Sequence, residues 1–261
     1  MTELVDTHCH IHFPDYPLDP EEVIKSANLA GVTRLLCVGC TLPDSKQAIE
    51  MANRHDNIWA AVGLHPHEGA QYVNDSLALQ EFHELVKKPK VVAIGETGLD
   101  YHYMHSSKLD QEKLLRFQLD VAIEHNLPLI FHIREAFEDF WKIFDEYSRE
   151  GLKIRGVVHS FSASRAELDQ ILSRGLLVGL NGIMTFTKDE QQLEAAKQIP
   201  LDKLLLETDA PFLTPHPFRG KVCEPKHVRV TAEFLSNLRG VPLDELAAAS
   251  TQNAINLFQI N

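Results

Sequence analysis

The sequence lacks any apolar run that approaches the roughly 18 residues of a membrane-spanning helix. It also does not open with a basic segment followed by an apolar stretch. We therefore expect a cytoplasmic protein that does not enter a membrane. Cysteine is scarce, with four residues in a chain of 261. Three of the four lie in or beside apolar, strand-like segments, so we expect reduced thiols with a structural function.

Positive charge is also in short supply. The 25 lysines and arginines are outnumbered by 37 aspartates and glutamates, and the formal net charge is −12 with histidine neutral. Such a surface disfavours tight, non-specific binding to a long polyanion. A phosphate-bearing substrate stays compatible with this charge, because metal ions bound within an acidic shell supply positive charge locally.

The chain contains no linker rich in proline, glycine or serine and no short repeat, so we expect one domain over residues 1–261. Apolar segments alternate with segments of helical spacing. The predicted strands are residues 4–10, 32–38, 58–63, 91–96, 128–132, 156–159, 176–180 and 203–207. The predicted helices are one between the turn at 17–20 and Gly31, and then 44–54, 77–86, 110–126, 135–149, 164–174, 189–197, 226–239 and 242–257.

Short, nearly all-apolar strands that alternate with helices are typical of parallel strands buried on both faces, since parallel neighbours need a helical crossover. Eight such strands predict an α/β fold, a single-domain (β/α)8 TIM barrel with an extra C-terminal helix. A doubly wound open sheet is the alternative. Its G-x-G-x-x-G fingerprint is missing after the first strand, which favours the barrel.

Polar residues of metal-ligand type lie at the predicted C-terminal ends of most strands, where barrel enzymes carry their chemistry. His8 and His10 alternate on the first strand, so both imidazoles point to one face. The residues at or just past the strand ends are His8, His10, His65, Glu96, His132, His159 and Asp209. Imidazole and carboxylate groups bind zinc, manganese or magnesium. The set therefore predicts a metal-dependent enzyme.

Six of these residues are predicted metal ligands, which is too many for one tetrahedral site. They are His8, His10, Glu96, His132, His159 and Asp209. We expect two divalent ions about 3.5–4 Å apart that share a carboxylate, and Glu96 is the predicted bridge. His8, His10 and Asp209 would complete one site, and His132 and His159 would complete the second. Asp209 is also the predicted base that takes a proton from the attacking water.

Six short motifs contain these residues. They are Asp6-Thr7-His8-Cys9-His10, Gly63-Leu64-His65-Pro66-His67, Gly95-Glu96-Thr97-Gly98-Leu99-Asp100-Tyr101, Phe131-His132-Ile133-Arg134, His159-Ser160-Phe161-Ser162 and Leu206-Glu207-Thr208-Asp209-Ala210-Pro211. Together they resemble the TatD-type metal-dependent deoxyribonucleases of the amidohydrolase-like superfamily, over essentially the whole chain. The resemblance implies a two-metal TIM barrel that hydrolyses phosphodiester bonds, with the DNA 3′ end as a favoured substrate. It carries the ligand roles onto the same six residues.

Three residues are predicted to contact the substrate. His65 matches a family position taken to touch it, Arg134 follows a ligand strand, and Arg219 lies in the loop after the last strand. Guanidinium groups can hold a phosphate through two parallel hydrogen bonds. Aromatic residues past the strand ends, such as Tyr103, can stack a base, although aromatics there more often anchor loops. One departure from the family is Cys223, where an asparagine is usual, which puts any substrate contact there in doubt.

The favoured interpretation is a hydrolase that cleaves phosphodiester bonds at nucleic-acid ends with water activated by two metal ions, and specifically a 3′-end-directed deoxyribonuclease. No membrane and no obligate protein partner are expected. The alternative is a barrel hydrolase that acts on a carboxylic ester or amide, such as an aminoacyl-tRNA deacylase, with the same metals. A metal-binding scaffold without catalysis would require lost ligands, and none is lost.

Overall fold

A computed structural model describes residues 2–261, which form eight β-strands and ten α-helices. The strands are β1 (Leu4–Cys9), β2 (Val32–Val38), β3 (Ile58–Val62), β4 (Val91–Asp100), β5 (Leu129–Arg134), β6 (Gly156–Val158), β7 (Leu177–Leu180) and β8 (Leu204–Leu206). The helices are α1 (Pro20–Leu29), α2 (Leu42–Arg54), α3 (Gly69–Tyr72), α4 (Ser76–Val86), α5 (Lys108–His125), α6 (Phe137–Arg149), α7 (Arg165–Ser173), α8 (Glu190–Gln198), α9 (Val228–Arg239) and α10 (Leu243–Phe258).

Every predicted strand is present, and α10 is the predicted extra C-terminal helix. The largest difference is at β4, which was predicted to end at Glu96 and continues to Asp100. The short helix α3 was not predicted. The helix starts follow capping chemistry, since Thr41, Asp75 and Ser107 each accept a backbone N–H of the helix that follows.

The described residues divide into two compact units. The terminal unit combines the chain up to Cys37 with His159–Asn261, and the central unit is Val38–Val158. In the terminal unit β1 pairs in parallel with β2, and β7 with β8. A bridge also joins Cys9, at the end of β1, to Ala210 just after β8. In the central unit β3 pairs with β4, β4 with β5, and β5 with β6, all in parallel.

The strands follow one another from β1 to β8 in a single parallel sheet. With β8 lying beside β1 in the terminal unit, this is the (β/α)8 barrel that the sequence predicts, and that prediction is confirmed. The single domain over residues 1–261 stays a prediction. Within residues 2–261 no helix is long and apolar enough to cross a membrane. The cytoplasmic location likewise stays a prediction.

The strands are buried on both faces, as the apolar sequence segments indicate. All five residues of β3 and all six of β1 are buried. The buried residues of β1 include polar side chains, among them the carboxylate of Asp6, which accepts hydrogen bonds from the backbone N–H (2.9 Å) and the hydroxyl (2.6 Å) of Thr208. These bonds hold the residues after β8 against β1, which places the next residue, Asp209, beside the end of β1.

Candidate metal centre

The first ligand cluster lies in the terminal unit, where β1 and the segment after β8 run side by side. The backbone N–H of Asp209 donates to the carbonyl of His8 (2.8 Å), and that of His10 donates to the carbonyl of Ala210 (2.7 Å). Asp209 has a φ of 64°, in the left-handed region that is uncommon for residues with a side chain but more frequent for aspartate than for most. The backbone thus fixes the carboxylate next to both histidines.

Three donor atoms of this cluster converge. The Nε2 atoms of His8 and His10 lie 3.1 Å apart, and Oδ1 of Asp209 is 3.7 Å from the first and 3.3 Å from the second. Burial opposes the ionisation of Asp209, but the hydrogen bond with His10 and the charges of His159, His8 and His10 outweigh it and lower the pKa of this carboxyl. Two imidazole nitrogens and a carboxylate oxygen in this arrangement fit a divalent ion.

His159 extends the same cluster. Its ring stacks on that of His8, with centroids 3.9 Å apart, and its Nδ1 lies 3.2 Å from Oε1 of Glu207. The same Glu207 oxygen accepts the backbone N–H of Ser160 at 2.6 Å. The carboxylate of Glu207 thus lies beside the ring of His159, and His8, His159 and Glu207 form a further group that could hold an ion. Sequence analysis placed Glu207 at the end of a strand and gave it no role.

Gly179 makes room for the Glu207 carboxylate. A Cβ atom at this position would come within 2.4 Å of Oε2 of Glu207, which is closer than any van der Waals contact allows. The absence of a side chain on β7 therefore lets a buried carboxylate sit behind His159. A buried acid that faces a ligand histidine is the usual way in which proteins orient such a ring.

The second cluster lies in the central unit and joins the ends of three strands. Nδ1 of His132, on β5, is 2.7 Å from Oε1 of Glu96, on β4. Nε2 of His65, just after β3, is 3.7 Å from the same oxygen. The three residues provide a second convergent set of imidazole and carboxylate donors. This set also fits a divalent ion.

The hydrogen bonds distinguish the two histidines of this cluster. Nε2 of His132 faces the carboxylate of Asp100 and Nδ1 faces that of Glu96, and a carboxylate only accepts hydrogen bonds. With Nε2–H donated to Asp100, Nδ1 can bind an ion held beside Glu96. His65 turns its other ring nitrogen toward Glu96: Nδ1 accepts the backbone N–H of His67, so Nε2, which faces Glu96, carries the proton. Burial lowers the pKa of His65 well below its usual value, which keeps the ring neutral. His132 is thus suited to bind an ion and His65 to donate a hydrogen bond.

Asp100 is the residue that orders this cluster, and sequence analysis gave it no role. Its Oδ2 accepts hydrogen bonds from Nε2 of His132 and of His67, each at 3.0 Å. Its Oδ1 accepts the backbone N–H of His102 and of Tyr103, each at 2.9 Å. Burial raises the pKa of Asp100, but the hydrogen bonds with His132 and with the backbone of Tyr103 outweigh this and hold the pKa well below its usual range.

The sequence held a signal for Asp100. Glu96, Gly98 and Asp100 are alternate residues of β4 and therefore share a face once the strand is known to continue. Gly98 explains the close approach of the next strand, since a Cβ there would lie 1.9 Å from the carbonyl oxygen of His132. The predicted strand ended at Glu96, whereas β4 continues through Gly98, which pairs with His132 of β5.

The predicted substrate contacts Arg134 and Arg219 are both at exposed positions. Arg134 lies exposed at the end of β5, with its guanidinium carbon 4.6 Å from the centroid of the Tyr103 ring. Arg219 donates to the carbonyl of Thr214 at 2.9 Å, and its guanidinium carbon lies 3.8 Å from the centroid of the Phe186 ring. Cys223 is fully buried, so its side chain is not on the surface that a substrate reaches.

The six predicted ligands thus fall into two groups. His8, His10, His159 and Asp209 are in the terminal unit, and Glu96 and His132 are in the central unit. Within each unit the predicted residues come together. The pairing of His132 with His159 in one site and the sharing of Glu96 by two ions involve both units and stay predictions.

Comparison with known proteins identifies the family. The sequence pattern described as "TatD related DNase" matches residues 5–259. A Bacillus subtilis protein named "Uncharacterized metal-dependent hydrolase YabD" is 41% identical over 99% of this chain and 100% of its own length. An Erwinia amylovora protein named "3'-5' ssDNA/RNA exonuclease TatD" is 35% identical over 98% of this chain and 99% of its own.

A solved structure agrees with the sequence comparisons. The crystal structure of a hydrolase TatD family protein from Entamoeba histolytica superposes with a TM-score of 0.88 and 25% identity, and the match covers 100% of both chains. The resemblance seen in the motifs is confirmed over the full length. The chain therefore belongs to the TatD related DNase family and is a metal-dependent hydrolase.

Proposed function

We propose that the chain hydrolyses phosphodiester bonds and removes nucleotides from the 3′ end of nucleic acid, with DNA as the favoured substrate. Two divalent ions, of zinc, manganese or magnesium, would support the reaction. The observation that carries the proposal is the convergence of imidazole and carboxylate donors in each of the two units. The Erwinia amylovora relative, named as an exonuclease on single-stranded DNA and RNA, supports a nucleic-acid substrate.

The donor sets indicate which residues would hold the ions. In the terminal unit these are His8, His10 and Asp209, with His159 stacked on His8. In the central unit they are Glu96 and Nδ1 of His132. Divalent ions at such sites polarise a phosphoryl oxygen and lower the pKa of water, which supplies a nucleophile at neutral pH.

The remaining steps fall to side chains of the chain itself. Asp209 accepts the proton of the attacking water at its carboxylate, and 17% of that side chain is exposed, so water reaches it. The exposed guanidinium of Arg134 binds a phosphate group of the substrate through two hydrogen bonds. Nε2–H of His65 donates a hydrogen bond to an oxygen at the same end of the nucleic-acid substrate. These residues position the substrate and move one proton.

A panel of oligonucleotides tests the proposal. Single-stranded DNA, duplex DNA and RNA, each labelled at the 5′ or the 3′ end, are incubated with metal-reconstituted protein and resolved by length. We expect a ladder of shortened products from the 5′-labelled single strand and immediate loss of a 3′ label. The Asp209→Asn protein is the control for contaminating nucleases. If the protein shortens no oligonucleotide but releases an amino acid from aminoacyl-tRNA, the nuclease proposal is wrong and the aminoacyl-tRNA deacylase alternative is favoured.

A further inference from the structure

Tyr103 is an exposed aromatic residue in the loop that follows β4. Its side chain is 52% exposed, whereas an aromatic residue that does anchor a loop, Phe161, is only 3% exposed. Sequence analysis favoured the anchoring role for aromatics in this position. The ring of Tyr103 contributes too little to packing for that role, so its place on the surface requires another explanation.

The loop that carries Tyr103 is fixed although the ring is exposed. Its backbone N–H donates to Oδ1 of Asp100 at 2.9 Å. Farther along, the buried side chain of Gln111 donates to the carbonyls of Asp100 (2.9 Å) and Ser106 (3.0 Å), which holds both ends of the loop. The Ser106 hydroxyl donates in turn to the carbonyl of His67 at 2.6 Å. A ring held in this way loses little conformational entropy when it binds a partner.

The same carboxylate connects the loop to the central ligand cluster. Asp100 binds the backbone of Tyr103 through Oδ1 and the imidazole of His132 through Oδ2, at 3.0 Å. The position of the exposed ring is therefore set by the group that orients a predicted metal ligand. A substrate phosphate bound at His132 would have its neighbouring nucleoside within reach of this loop.

Planar groups surround the Tyr103 ring. The guanidinium carbon of Arg134 lies 4.6 Å from its centroid, and the ring of His105 lies 5.9 Å away with an angle of 14° between the planes. The Arg134 side chain is exposed, so its charge is accessible to a phosphate. Aromatic rings and guanidinium planes are the groups on which proteins stack single-stranded bases.

We infer that Tyr103 stacks against the base of a nucleotide next to the scissile phosphate, while Arg134, beside the ring, binds a phosphate of the same strand. The inference rests on the proposed function and adds a specific binding residue to it. It assigns to this loop a preference for unpaired ends, because a base within a duplex stack is not free to lie on the ring.

Abasic oligonucleotides test the stack directly. Single strands with a normal 3′ end, an abasic terminal residue or an abasic penultimate residue are compared on wild-type, Tyr103→Ala and Tyr103→Phe proteins. Wild type should show a higher KM for one of the two abasic strands. Tyr103→Ala should raise KM for the normal strand by about 5- to 150-fold, the equivalent of about 1–3 kcal/mol per stacked base, and should no longer distinguish normal from abasic. Tyr103→Phe should behave as wild type.

The controls separate binding from folding and this inference from the proposed function. Leu109→Ala removes a side chain that is 59% exposed just beyond the loop and should leave KM and kcat unchanged. In Tyr103→Ala, kcat should also stay near the wild-type value, because the stack is made before the chemical step. If wild type cleaves but Tyr103→Ala still distinguishes normal from abasic strands, the inferred stacking of Tyr103 is wrong, while the proposed nuclease activity is retained. If wild type cleaves no strand, both are wrong.

Discussion

Nε2 of His132 lies 3.0 Å from Oδ2 of Asp100, a fully buried carboxylate at the end of β4. This contact orients the imidazole, whose Nδ1 lies 2.7 Å from Oε1 of Glu96. Asp100 therefore acts through His132 and is a positioning residue. Partners of this kind commonly matter to a metal site almost as much as the ligands themselves.

The first prediction concerns Asp100→Asn. The amide keeps the shape of the carboxylate but offers one acceptor oxygen, so it cannot serve both imidazoles and both backbone N–H groups. We expect the metal affinity of the central cluster to fall by about 10- to 100-fold. Calorimetric titration of the metal-free protein with zinc or manganese measures it. Asp56→Asn, an exposed carboxylate of the same unit, is the matched control. Equal affinities in both variants would contradict the role of Asp100.

Glu96→Ala should reduce the metal content of the protein, and activity should fall with it. If Glu96 bridges two ions, its loss removes the negative charge that allows two dications to lie close together. Elemental analysis of the purified, reconstituted protein gives the number of ions per chain. If the Glu96→Ala protein still holds two ions, Glu96 does not bridge them.

Asp209→Asn should lose activity but, unlike Glu96→Ala, should retain bound metal. An amide oxygen can still coordinate an ion, but it cannot accept the proton of the attacking water. We expect at least one ion to remain while kcat falls by about 10²–10⁴-fold, the range typical of a lost general base. The substrate KM should change little, since the lost interaction belongs to the transition state. An Asp209→Asn enzyme with wild-type kcat would rule out this base.

A prediction on pH concerns His227, away from both ligand clusters. This ring is buried and its Nδ1 accepts the backbone N–H of Glu224 at 3.0 Å. Burial lowers the pKa of His227 in the folded protein. The unfolded chain therefore binds this proton more readily, and the free energy of unfolding should fall as the pH drops through about 6.5, the ordinary histidine value, toward the folded-state pKa.

Urea unfolding in the presence of a chelator, from about pH 8 to about pH 5, measures this dependence on either side of the ordinary histidine pKa. In His227→Asn the amide oxygen can replace Nδ1 as an acceptor and carries no titrating group, so the loss of stability at low pH should be smaller than in wild type. His216→Asn, at an exposed histidine, should keep the wild-type dependence. The same slope in all three proteins would show that His227 does not contribute.

Gly179→Ala tests the space behind His159. The added methyl group would overlap Oε2 of Glu207, so the carboxylate must leave its place beside Ser160 and His159. Overpacking of this kind usually costs about 1–3 kcal/mol of unfolding free energy. Urea unfolding of wild type, Gly179→Ala, Glu207→Ala and the double variant measures it. The methyl group should cost less when Glu207 is already alanine, and strictly additive costs would contradict the clash.

The sequence predicts the barrel well because each strand is a continuous apolar segment and each crossover has helical spacing. It also predicts the ligands, since His8, His10, His132 and Asp209 stand at or just past strand ends. Both features depend on the order of residues along one segment. They need no knowledge of the partner strands.

The sequence alone does not predict the roles of three residues, Asp100, Glu207 and Tyr103. The role of Asp100 depends on the continuation of β4 past Glu96, where the predicted strand ends. Glu207 is recognisable only once Gly179 is known to lie beside it. Tyr103 lies in a loop whose two ends are held by hydrogen bonds from Gln111 to Asp100 and Ser106. Each of these is a property of packing between segments.

The measurement that tests the central claim most directly is the shortening of a 5′-labelled single-stranded oligonucleotide by one protein preparation in three states. These are the protein as purified, the protein stripped with excess EDTA, and the stripped protein supplied with zinc, manganese or magnesium. The account predicts that stripping abolishes shortening from the 3′ end and that at least one of the ions restores it. Undiminished shortening in excess EDTA would contradict the account.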